Sequence, residues 1–315
     1  MSNPHTGSEL RVALLAGGDS AEREVSLRSG VAVAEALTAS GHQVTSIDPA
    51  DCDLEQLDWD RLDVCFLALH GGAGEDGRIQ QVLEGLGVPY TGSGPEACRL
   101  AMSKSASKQR FAERRVPTPP FVLIGPDDSL VDLAARVQPL SFPLMVKPDG
   151  QGSSLGLSIA DAPTDLARSV AEAREFDRQV IVEPLIRGRE FTAAIIDDRP
   201  LPLVEIVSPA RVFSYEAKYL SSLTEYRLDF KLPPKQRAEI VHAAVAAGRA
   251  LGTAGLARVD IMLAHDGSVW VLEVNTIPGL TARSLAPQAA LAAGLGMAAL
   301  CDLLVRRALV VVGAS

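Results

Sequence analysis

Two polar side chains interrupt an apolar segment near the end of the sequence. Residues 271–279 read VLEVNTIPG, and Glu273 and Asn275 stand two positions apart in this segment. Because side chains alternate across a β-strand, residues at i and i+2 point to the same face. The segment is therefore predicted to be a strand that directs a carboxylate and an amide to one side.

The segment before it supplies a partner strand of the same kind. Residues 256–263 are mostly apolar, but Arg258 and Asp260 also stand two positions apart. The Asp-Gly pair at 266–267 is a strong signal for a two-residue hairpin turn. With that turn, Asp260 faces the carboxylate of the first segment and Arg258 faces its amide. The opposite face is then apolar and is predicted to form core, with Val259, Ile261, Leu263, Trp270, Leu272 and Val274.

Facing carboxylates need a cation. Asp260 and Glu273 repel each other, and each raises the pKa of the other unless positive charge lies between them. Carboxylate oxygens together with the carbonyl of Asn275 suit Mg²⁺, which prefers oxygen ligands and retains some of its waters. The alternative is a solvent-facing strand with an Arg258–Asp260 ion pair, and the local pattern leaves both interpretations open.

A glycine-rich segment suggests phosphate binding. Residues 149–156 read DGQGSSLG and lie between two predicted strands, but they lack the Walker pattern GxxxxGK[ST]. Backbone N–H groups of such a hairpin can surround phosphate oxygens. Ser153 and Ser154 would add hydroxyl donors, and Lys147 on the preceding strand would add a positive charge. A plain surface hairpin is the alternative.

The N-terminal segment carries weaker signals. GGDSAE at 17–22 follows an apolar strand but lacks GxGxxG, so nicotinamide or flavin binding is poorly supported. Asp19 and Glu22 fit a capping box at the start of a helix. His70 ends a strand in the glycine-rich sequence HGGAGEDG, where a structural role is equally open. On their own, Lys104, Lys218 and Tyr219 are ordinary exposed residues.

The order of predicted elements divides the chain into three units. Residues 1–93 alternate strands and helices and are predicted to form a Rossmann-like parallel α/β sheet, whose site lies in the loops after the strands. Residues 94–187 open with a helix over 94–115 and form an α+β unit around the glycine-rich hairpin. Residues 188–315 hold the predicted metal site and an irregular stretch over 208–230, long enough to be functional or disordered.

Composition excludes some classes of protein. The formal net charge of the 315 residues is −9, which argues against a general nucleic-acid binder. The four cysteines form no CxxC pair, which indicates reduced thiols in a cytoplasm. Neither a signal peptide nor a membrane-spanning segment is predicted.

Seven segments, in chain order, together resemble the D-alanine–D-alanine ligase family of the ATP-grasp superfamily. They are AEREVSLRSG (21–30), ALHGGAGEDG (68–77), PYTGSG (89–94), VKPDGQGSSLG (146–156), YEAKYLS (215–221), ARVDIML (257–263) and LEVNTIPGLTARSL (272–285). The resemblance spans nearly the whole chain. It implies a three-domain ATP-grasp architecture, with ATP between the second and third domains.

The resemblance also implies roles for single residues. Asp260, Glu273 and Asn275 match the ligands of two Mg²⁺ ions, for which Mn²⁺ can substitute. The residues that match nucleotide contacts are Lys104, Lys147, Ser154 and Lys218 at the phosphates and Glu183, Ile186 and Glu190 at the adenine and ribose.

Further matches concern the amino-acid substrates. Glu22, Ser153 and Tyr219 match a hydrogen-bonded trio that closes a mobile loop over the site. Arg258 and the N–H of Gly279 match the oxyanion site. Ser284 and Leu285 match contacts to the second D-alanine, and His70 is expected near the reacting carboxylate.

Three positions depart from the common pattern of the family. Gln151 stands where many relatives carry an acidic residue, and Ile277 stands where serine is common. Pro184 follows the predicted adenine contact where a lysine is often seen, so one backbone N–H is missing there.

The expected activity is ATP-dependent ligation of two D-alanines through an acyl phosphate, for peptidoglycan precursors in the cytoplasm. A homodimer is a further expectation of the resemblance. A D-alanine–D-lactate ligase, another ATP-grasp carboxylate–amine ligase and a non-catalytic nucleotide-sensing module are the alternatives. Tyr219 favours D-alanine as the second substrate, because D-lactate ligases tend to replace this tyrosine.

Overall fold

The N-terminal unit is a parallel sheet, as predicted. The computed structural model describes residues 8–152, 155–208 and 224–312, with the side chains of residues 311 and 312 left aside. Strands β1 (Arg11–Leu15), β2 (Gln43–Ile47) and β3 (Val64–Leu67) pair in the order β2-β1-β3. The helices of this unit are α1 (Arg23–Ala39), α2 (Gly72–Glu75) and α3 (Arg78–Gly85).

The first helix begins later than its sequence suggests. The predicted capping box at Asp19 is wrong, because α1 begins at Arg23 with Glu22 as its N-cap residue. Ser20 makes the turn before it: its hydroxyl accepts a hydrogen bond from the Glu22 N–H at 3.1 Å. The Glu22 side chain makes no capping hydrogen bond.

The central unit is an antiparallel sheet with helices on it. Two helices, α4 (Pro95–Met102) and α5 (Lys104–Glu113), replace the single helix predicted over 94–115. Ser103 separates them, because its backbone is extended and its hydroxyl caps α5 at the Ala106 N–H. The sheet has the order β4-β7-β5-β6. Its elements are β4 (Val122–Ile124), α6 (Leu133–Arg136), β5 (Leu144–Pro148), β6 (Ser158–Ala160), α7 (Pro163–Arg174) and β7 (Val180–Pro184).

A third sheet carries the predicted metal face. Its described strands run β11-β10-β8-β12-β13, with β9 beside β8. They are β8 (Gly188–Ile196), β9 (Arg199–Pro200), β10 (Val204–Val207), β11 (Glu225–Arg227), β12 (Leu256–Ala264) and β13 (Val269–Asn275). β11 lies within the stretch 208–230 that was predicted to be irregular. The helices are α8 (Pro234–Leu251), α9 (Leu285–Ala292) and α10 (Met297–Val312).

Two deviations in the β12–β13 hairpin cancel each other. The turn has three residues, 265–267, because the Ala264 N–H donates to the Ser268 carbonyl; the predicted two-residue turn is wrong. Gly267 closes the turn at φ +87°, which favours glycine. A bulge at Leu272 then adds one residue to β13. The register returns, and Asp260 faces Glu273 as predicted.

The bulge changes which residues of β13 are buried. Val269 and Val271 pack into the core, in place of the predicted Trp270 and Leu272. The indole of Trp270 instead donates to the Ser268 hydroxyl at 2.8 Å. Between the bulge and the turn, the faces of β13 are therefore the reverse of those expected from strict alternation.

One core joins the first and third sheets. Residues of β1 and β3 pack with α9 and α10, and the same cluster includes Ala194, Ile196 and Leu256 of the third sheet. A second cluster lies between the third sheet and α8, and a third fills the central unit. The N-terminal sheet therefore shares its apolar interior with elements from the C-terminal half of the chain.

Within the described ranges, no single helix is long and apolar enough to cross a membrane. Only α9 and α10 taken together pass that test, and they are bent by 101° from each other.

The three-residue turn leads to a stability prediction. Gly267→Ala should destabilise the protein by about 1–2 kcal/mol, because an alanine at this positive φ brings its Cβ against the following carbonyl. Urea unfolding with tryptophan fluorescence measures the change. Gly85→Ala is the control: it lies at the exposed end of α3 with no atom within 4 Å of the added Cβ. A Gly267→Ala midpoint as high as that of the control would contradict the left-handed turn.

Candidate active site

A single cavity brings together residues from the three units. It encloses about 460 Å³. Nine of the predicted site residues line it: Glu22, His70, Lys104, Arg258, Glu273, Asn275, Gly279, Ser284 and Leu285. Ser153, Ser154, Lys218 and Tyr219 lie outside the described residues, so the predicted trio of Glu22, Ser153 and Tyr219 is represented here by its first member alone.

Arg258 and Asp260 form a bidentate ion pair. The Arg258 Nε donates to Oδ1 of Asp260 at 3.0 Å, and its Nη2 donates to Oδ2 at 2.9 Å. Thr192 on the neighbouring strand β8 also donates to Oδ1, at 2.6 Å. Asp260 is buried, and these donors satisfy both of its carboxylate oxygens. The Arg258–Asp260 ion pair, which was the alternative to a metal site, is therefore present. The metal prediction depends on Asp260 facing Glu273, and that arrangement is present as well.

The donor set on this face fits a hard divalent cation. Asp260 and Glu273 are paired in the register, and Asn275 extends along the same face of β13. The Asn275 carbonyl oxygen accepts from the Ile277 N–H at 2.9 Å, which orients the amide. Within the ranges that the structure describes, no group of three or more His, Cys, Asp or Glu side chains could hold a metal. Two carboxylates and an amide are thus an incomplete shell, which substrate oxygens and water would have to complete.

His70 is held at the wall of the cavity by its neighbours. Its Nε2 lies 3.0 Å from the Ser29 hydroxyl, and its Nδ1 lies 3.5 Å from a carboxylate oxygen of Glu75. The Ser29 hydroxyl also accepts a hydrogen bond from the Leu280 N–H at 3.3 Å. This chain of contacts fixes the imidazole and connects the N-terminal unit to the loop after β13.

The buried Glu22 carboxylate lies close to two glycine backbones. A Cβ added at Gly71 would be 2.8 Å from Oε2 of Glu22, and one added at Gly152 would be 3.3 Å from it. Gly152 belongs to the glycine-rich segment, so the start of α1 and that segment meet beside the cavity. The late start of α1 is what directs Glu22 to this point.

The loop before α9 presents backbone donors. Ser284 is the N-cap residue of α9, and its hydroxyl accepts a hydrogen bond from the Thr281 N–H at 3.1 Å. Leu285 begins the helix, and the first N–H groups of a helix attract anions. Gly279 approaches so closely that an added Cβ would be 2.9 Å from the Ser284 Oγ. No acceptor for the Gly279 N–H is found among the described residues.

The residues predicted to contact the nucleotide lie at the start of α5, on strands β5 and β7 of the central sheet, and on or just before β8. Lys104 donates from Nζ to the Gln151 carbonyl at 2.5 Å. Lys147 is paired with Glu183 at 2.5 Å, and these residues lie on the neighbouring strands β5 and β7. Ile186 follows β7 and is half-buried, and Glu190 lies on β8 opposite Met262 of β12.

Charges on these elements influence each other. Burial lowers the pKa of Lys147, but the attraction of Glu183, with Glu273 and Glu190 further away, outweighs burial and raises it. Burial raises the pKa of Glu183, but the ammonium groups of Lys147 and Lys108 outweigh it and lower the value. Lys147 therefore stays positively charged, and it interacts electrostatically with Glu273 of β13 and Glu190 of β8.

Sequence reasoning missed several residues of the site. Arg28, Glu75, Tyr226 and Arg283 line the cavity. Lys108 lies behind Glu183 and is also paired with it. Lys108 follows Lys104 by four residues, and that spacing on a helix puts both ammonium groups on one side. The spacing was a usable signal, but the pairing with β7 depends on the tertiary fold.

Comparisons with known proteins agree with this architecture. Residues 50–93 match the family model "D-ala D-ala ligase N-terminus", and residues 111–306 match "D-ala D-ala ligase C-terminus". The chain is 45% identical to the D-alanine–D-alanine ligase of Stutzerimonas stutzeri, over 90% of both chains. It is 43% identical to that of Pseudomonas entomophila, over 90% of this chain and 89% of the relative.

A solved structure shows the same fold. The D-alanine–D-alanine ligase of Bacillus anthracis in complex with ATP superposes with a TM-score of 0.84 at 31% identity. The superposition covers 97% of this chain and 99% of the other.

Proposed function

The chain belongs to the D-alanine–D-alanine ligase family, and from that membership we propose which residues carry each step of its reaction. It is an ATP-dependent ligase that joins two D-alanines into D-alanyl-D-alanine for peptidoglycan synthesis. The observation that carries the assignment of residues is the convergence of Arg258, Glu273, Gly279 and Glu22 on one cavity.

The first step activates a carboxylate. The first D-alanine attacks the γ-phosphorus of ATP through its carboxylate oxygen, which gives an acyl phosphate and ADP. Lys104 and Lys147 are assigned to the phosphates: Lys104 lines the cavity, and Lys147 interacts electrostatically with Glu273 of its wall. Glu183, Ile186 and Glu190 are assigned to the adenine and ribose side. Ser154 and Lys218 are further phosphate contacts in this proposal.

Asp260, Glu273 and Asn275 would hold Mg²⁺. Their oxygens share one face of the hairpin, and the facing carboxylates supply the negative charge that a divalent cation requires. Mg²⁺ held by these residues would supply positive charge to neutralise the triphosphate. From the family resemblance, we expect these residues to bind two Mg²⁺ ions, for which Mn²⁺ can substitute.

The second step is attack by an amine. The nitrogen of the second D-alanine attacks the acyl carbon, and the carbonyl oxygen becomes an oxyanion. Arg258 and the Gly279 N–H are assigned to stabilise that oxyanion, because both line the cavity and the N–H has no acceptor among the described residues. The tetrahedral intermediate then expels phosphate.

The amino-acid substrates occupy the part of the cavity between α1 and α9. The first turn of α9, with Ser284 and Leu285, is suited to the carboxylate of the second D-alanine. His70, held by Ser29, is assigned near the carboxylate that reacts first. Glu22 is assigned with Ser153 and Tyr219 to close the site, which would protect the acyl phosphate from water.

A cytoplasmic location and a homodimer belong to the same proposal. The four cysteines are all free, and reduced thiols are typical of a cytoplasm. The homodimer stays an expectation of the family resemblance.

A phosphate-release assay tests the proposed function. Purified protein with ATP and Mg²⁺ should release phosphate only when D-alanine is added, with one phosphate for each dipeptide formed. D-lactate competition across pH distinguishes a D-alanine–D-lactate ligase. Binding of ATP without D-alanine-dependent release would instead indicate a nucleotide-sensing module.

The metal assignment predicts a change in Mg²⁺ requirement. Glu273→Gln should raise the Mg²⁺ concentration that gives half-maximal phosphate release by at least about tenfold, since it removes a ligand charge. Glu239→Gln, on the partly exposed surface of α8, is the matched control. An unchanged Mg²⁺ titration in Glu273→Gln would exclude this carboxylate as a ligand.

The oxyanion assignment predicts a loss of turnover. Arg258→Ala should lower kcat by about 10²–10³, the usual cost of removing one oxyanion donor. Arg249→Ala is the control, since Arg249 also pairs with an aspartate through two hydrogen bonds but lies on the surface. Thermal unfolding shows whether the variant is intact. Near-normal turnover in Arg258→Ala would refute the role.

A further inference from the structure

Lys108 is a buried ammonium group that the reaction scheme does not use. Its side chain is 1% exposed, and it projects from α5 beneath the central sheet. Lysine is rarely buried this completely unless it is paired. Its burial therefore calls for a partner, and the partner is a residue of the nucleotide site.

Three acceptors surround the Lys108 ammonium. Its Nζ lies 2.6 Å from Oε2 of Glu183, 2.9 Å from the Thr118 hydroxyl and 3.0 Å from the Pro119 carbonyl. The threonine and proline oxygens accept hydrogen bonds from the ammonium group, and the Glu183 carboxylate pairs with its charge, which is what a buried charge requires. Thr118 in turn donates to the Val271 carbonyl of β13 at 2.9 Å. Lys108 is therefore fixed with respect to both the central sheet and the hairpin.

Glu183 lies between two ammonium groups. The ammonium group of Lys147 is paired with its Oε1 and that of Lys108 with its Oε2, and the carboxylate is almost fully buried. The ammonium group of Lys147 is more exposed than that of Lys108, and it interacts electrostatically with Glu273 and Glu190 of the cleft. In the trio Lys108–Glu183–Lys147, Lys108 is therefore the fully buried ammonium group and Lys147 is the partly exposed one.

The charges of the trio give Lys108 a role beyond stability. Burial and the neighbouring Lys147 ammonium lower the pKa of Lys108, although the Glu183 carboxylate opposes them. With both lysines protonated, two ammonium groups and one carboxylate leave one net positive charge. Without Lys108, the Glu183 carboxylate would neutralise Lys147 and could turn either oxygen toward it. The field that Lys147 directs into the cleft would then be weaker.

We propose that Lys108 is a positioning residue for the polyphosphate of ATP, which acts by holding Glu183 and leaving the charge of Lys147 uncompensated. The proposal rests on the assignment of Lys147 to the phosphates. It makes Glu183 primarily a support for Lys147, in addition to any contact with the adenine.

The test separates phosphate recognition from nucleoside recognition. Calorimetric titration of the full chain measures the Kd of ATP and of adenosine for the wild type and for Lys108→Met. The ATP Kd should rise about tenfold, a coupling in the middle of the range for contacting residues. The adenosine Kd should stay within about twofold, because adenosine carries no phosphate.

Control variants remove the structural explanation. Lys235→Met makes the same change at a highly exposed surface lysine and should leave both Kd values unchanged. Lys108→Gln keeps hydrogen-bond donors without the charge and serves if Lys108→Met fails to fold; it should also weaken ATP selectively. Lys108→Arg keeps the charge and should restore part of the ATP affinity.

The outcomes are distinct from those of the proposed function. An ATP Kd that does not change, or ATP and adenosine Kd values that rise equally in both charge-removing variants, would overturn the role of Lys108. D-alanine-dependent phosphate release by the wild type is measured in parallel. If that release is absent, the ligase assignment fails, whereas the ratio of the two Kd values still tests Lys108.

Discussion

Asp260 and Glu273 face each other across the β12–β13 hairpin, and two like charges so placed repel unless positive charge compensates them. In the described structure, Arg258 provides that compensation through a bidentate pair with Asp260. A divalent cation would provide more of it. The guanidinium of Arg258 would then be less fully neutralised by Asp260, which suits its proposed role in stabilising an oxyanion. In the proposed reaction scheme, a cation bound at this face would thus leave the guanidinium more available.

The same constraint appears on the other side of the cleft with the signs reversed. There, Lys147 and Lys108 are like charges, and the buried Glu183 lies between them. Each side is supported by apolar packing behind it: the cluster between the third sheet and α8 supports the hairpin, and the cluster of the central unit supports β5 and β7. The hairpin thus carries two facing carboxylates, whereas the central unit holds a carboxylate between two ammonium groups.

Local rules predicted the chemical face of the hairpin, because alternation along a strand depends on short-range geometry. They failed at the turn and at Leu272, where one extra residue in each place shifted the register in opposite directions. The start of α1 was mispredicted because the Ser20 hydroxyl accepts the Glu22 N–H in a turn that precedes the helix. The contacts of His70 with Ser29 and of Lys108 with Glu183 join distant segments, and no pattern within a window of sequence specifies them. The segments resembling a known family supplied most of the remaining site residues, although four of these residues lie outside the described ranges.

The shared core of the first and third sheets has a consequence for biosynthesis. Val12 and Leu14 of β1 belong to the same apolar cluster as Leu300 and Leu304 of α10, which is translated last among the described elements. While the chain emerges from the ribosome, the face of the first sheet that α10 will cover stays exposed to water. The N-terminal unit thus cannot complete its interior ahead of the rest, which sets it apart from domains that fold one after another during translation. Nascent chains of this protein present an apolar surface that chaperones can bind until α10 has been translated.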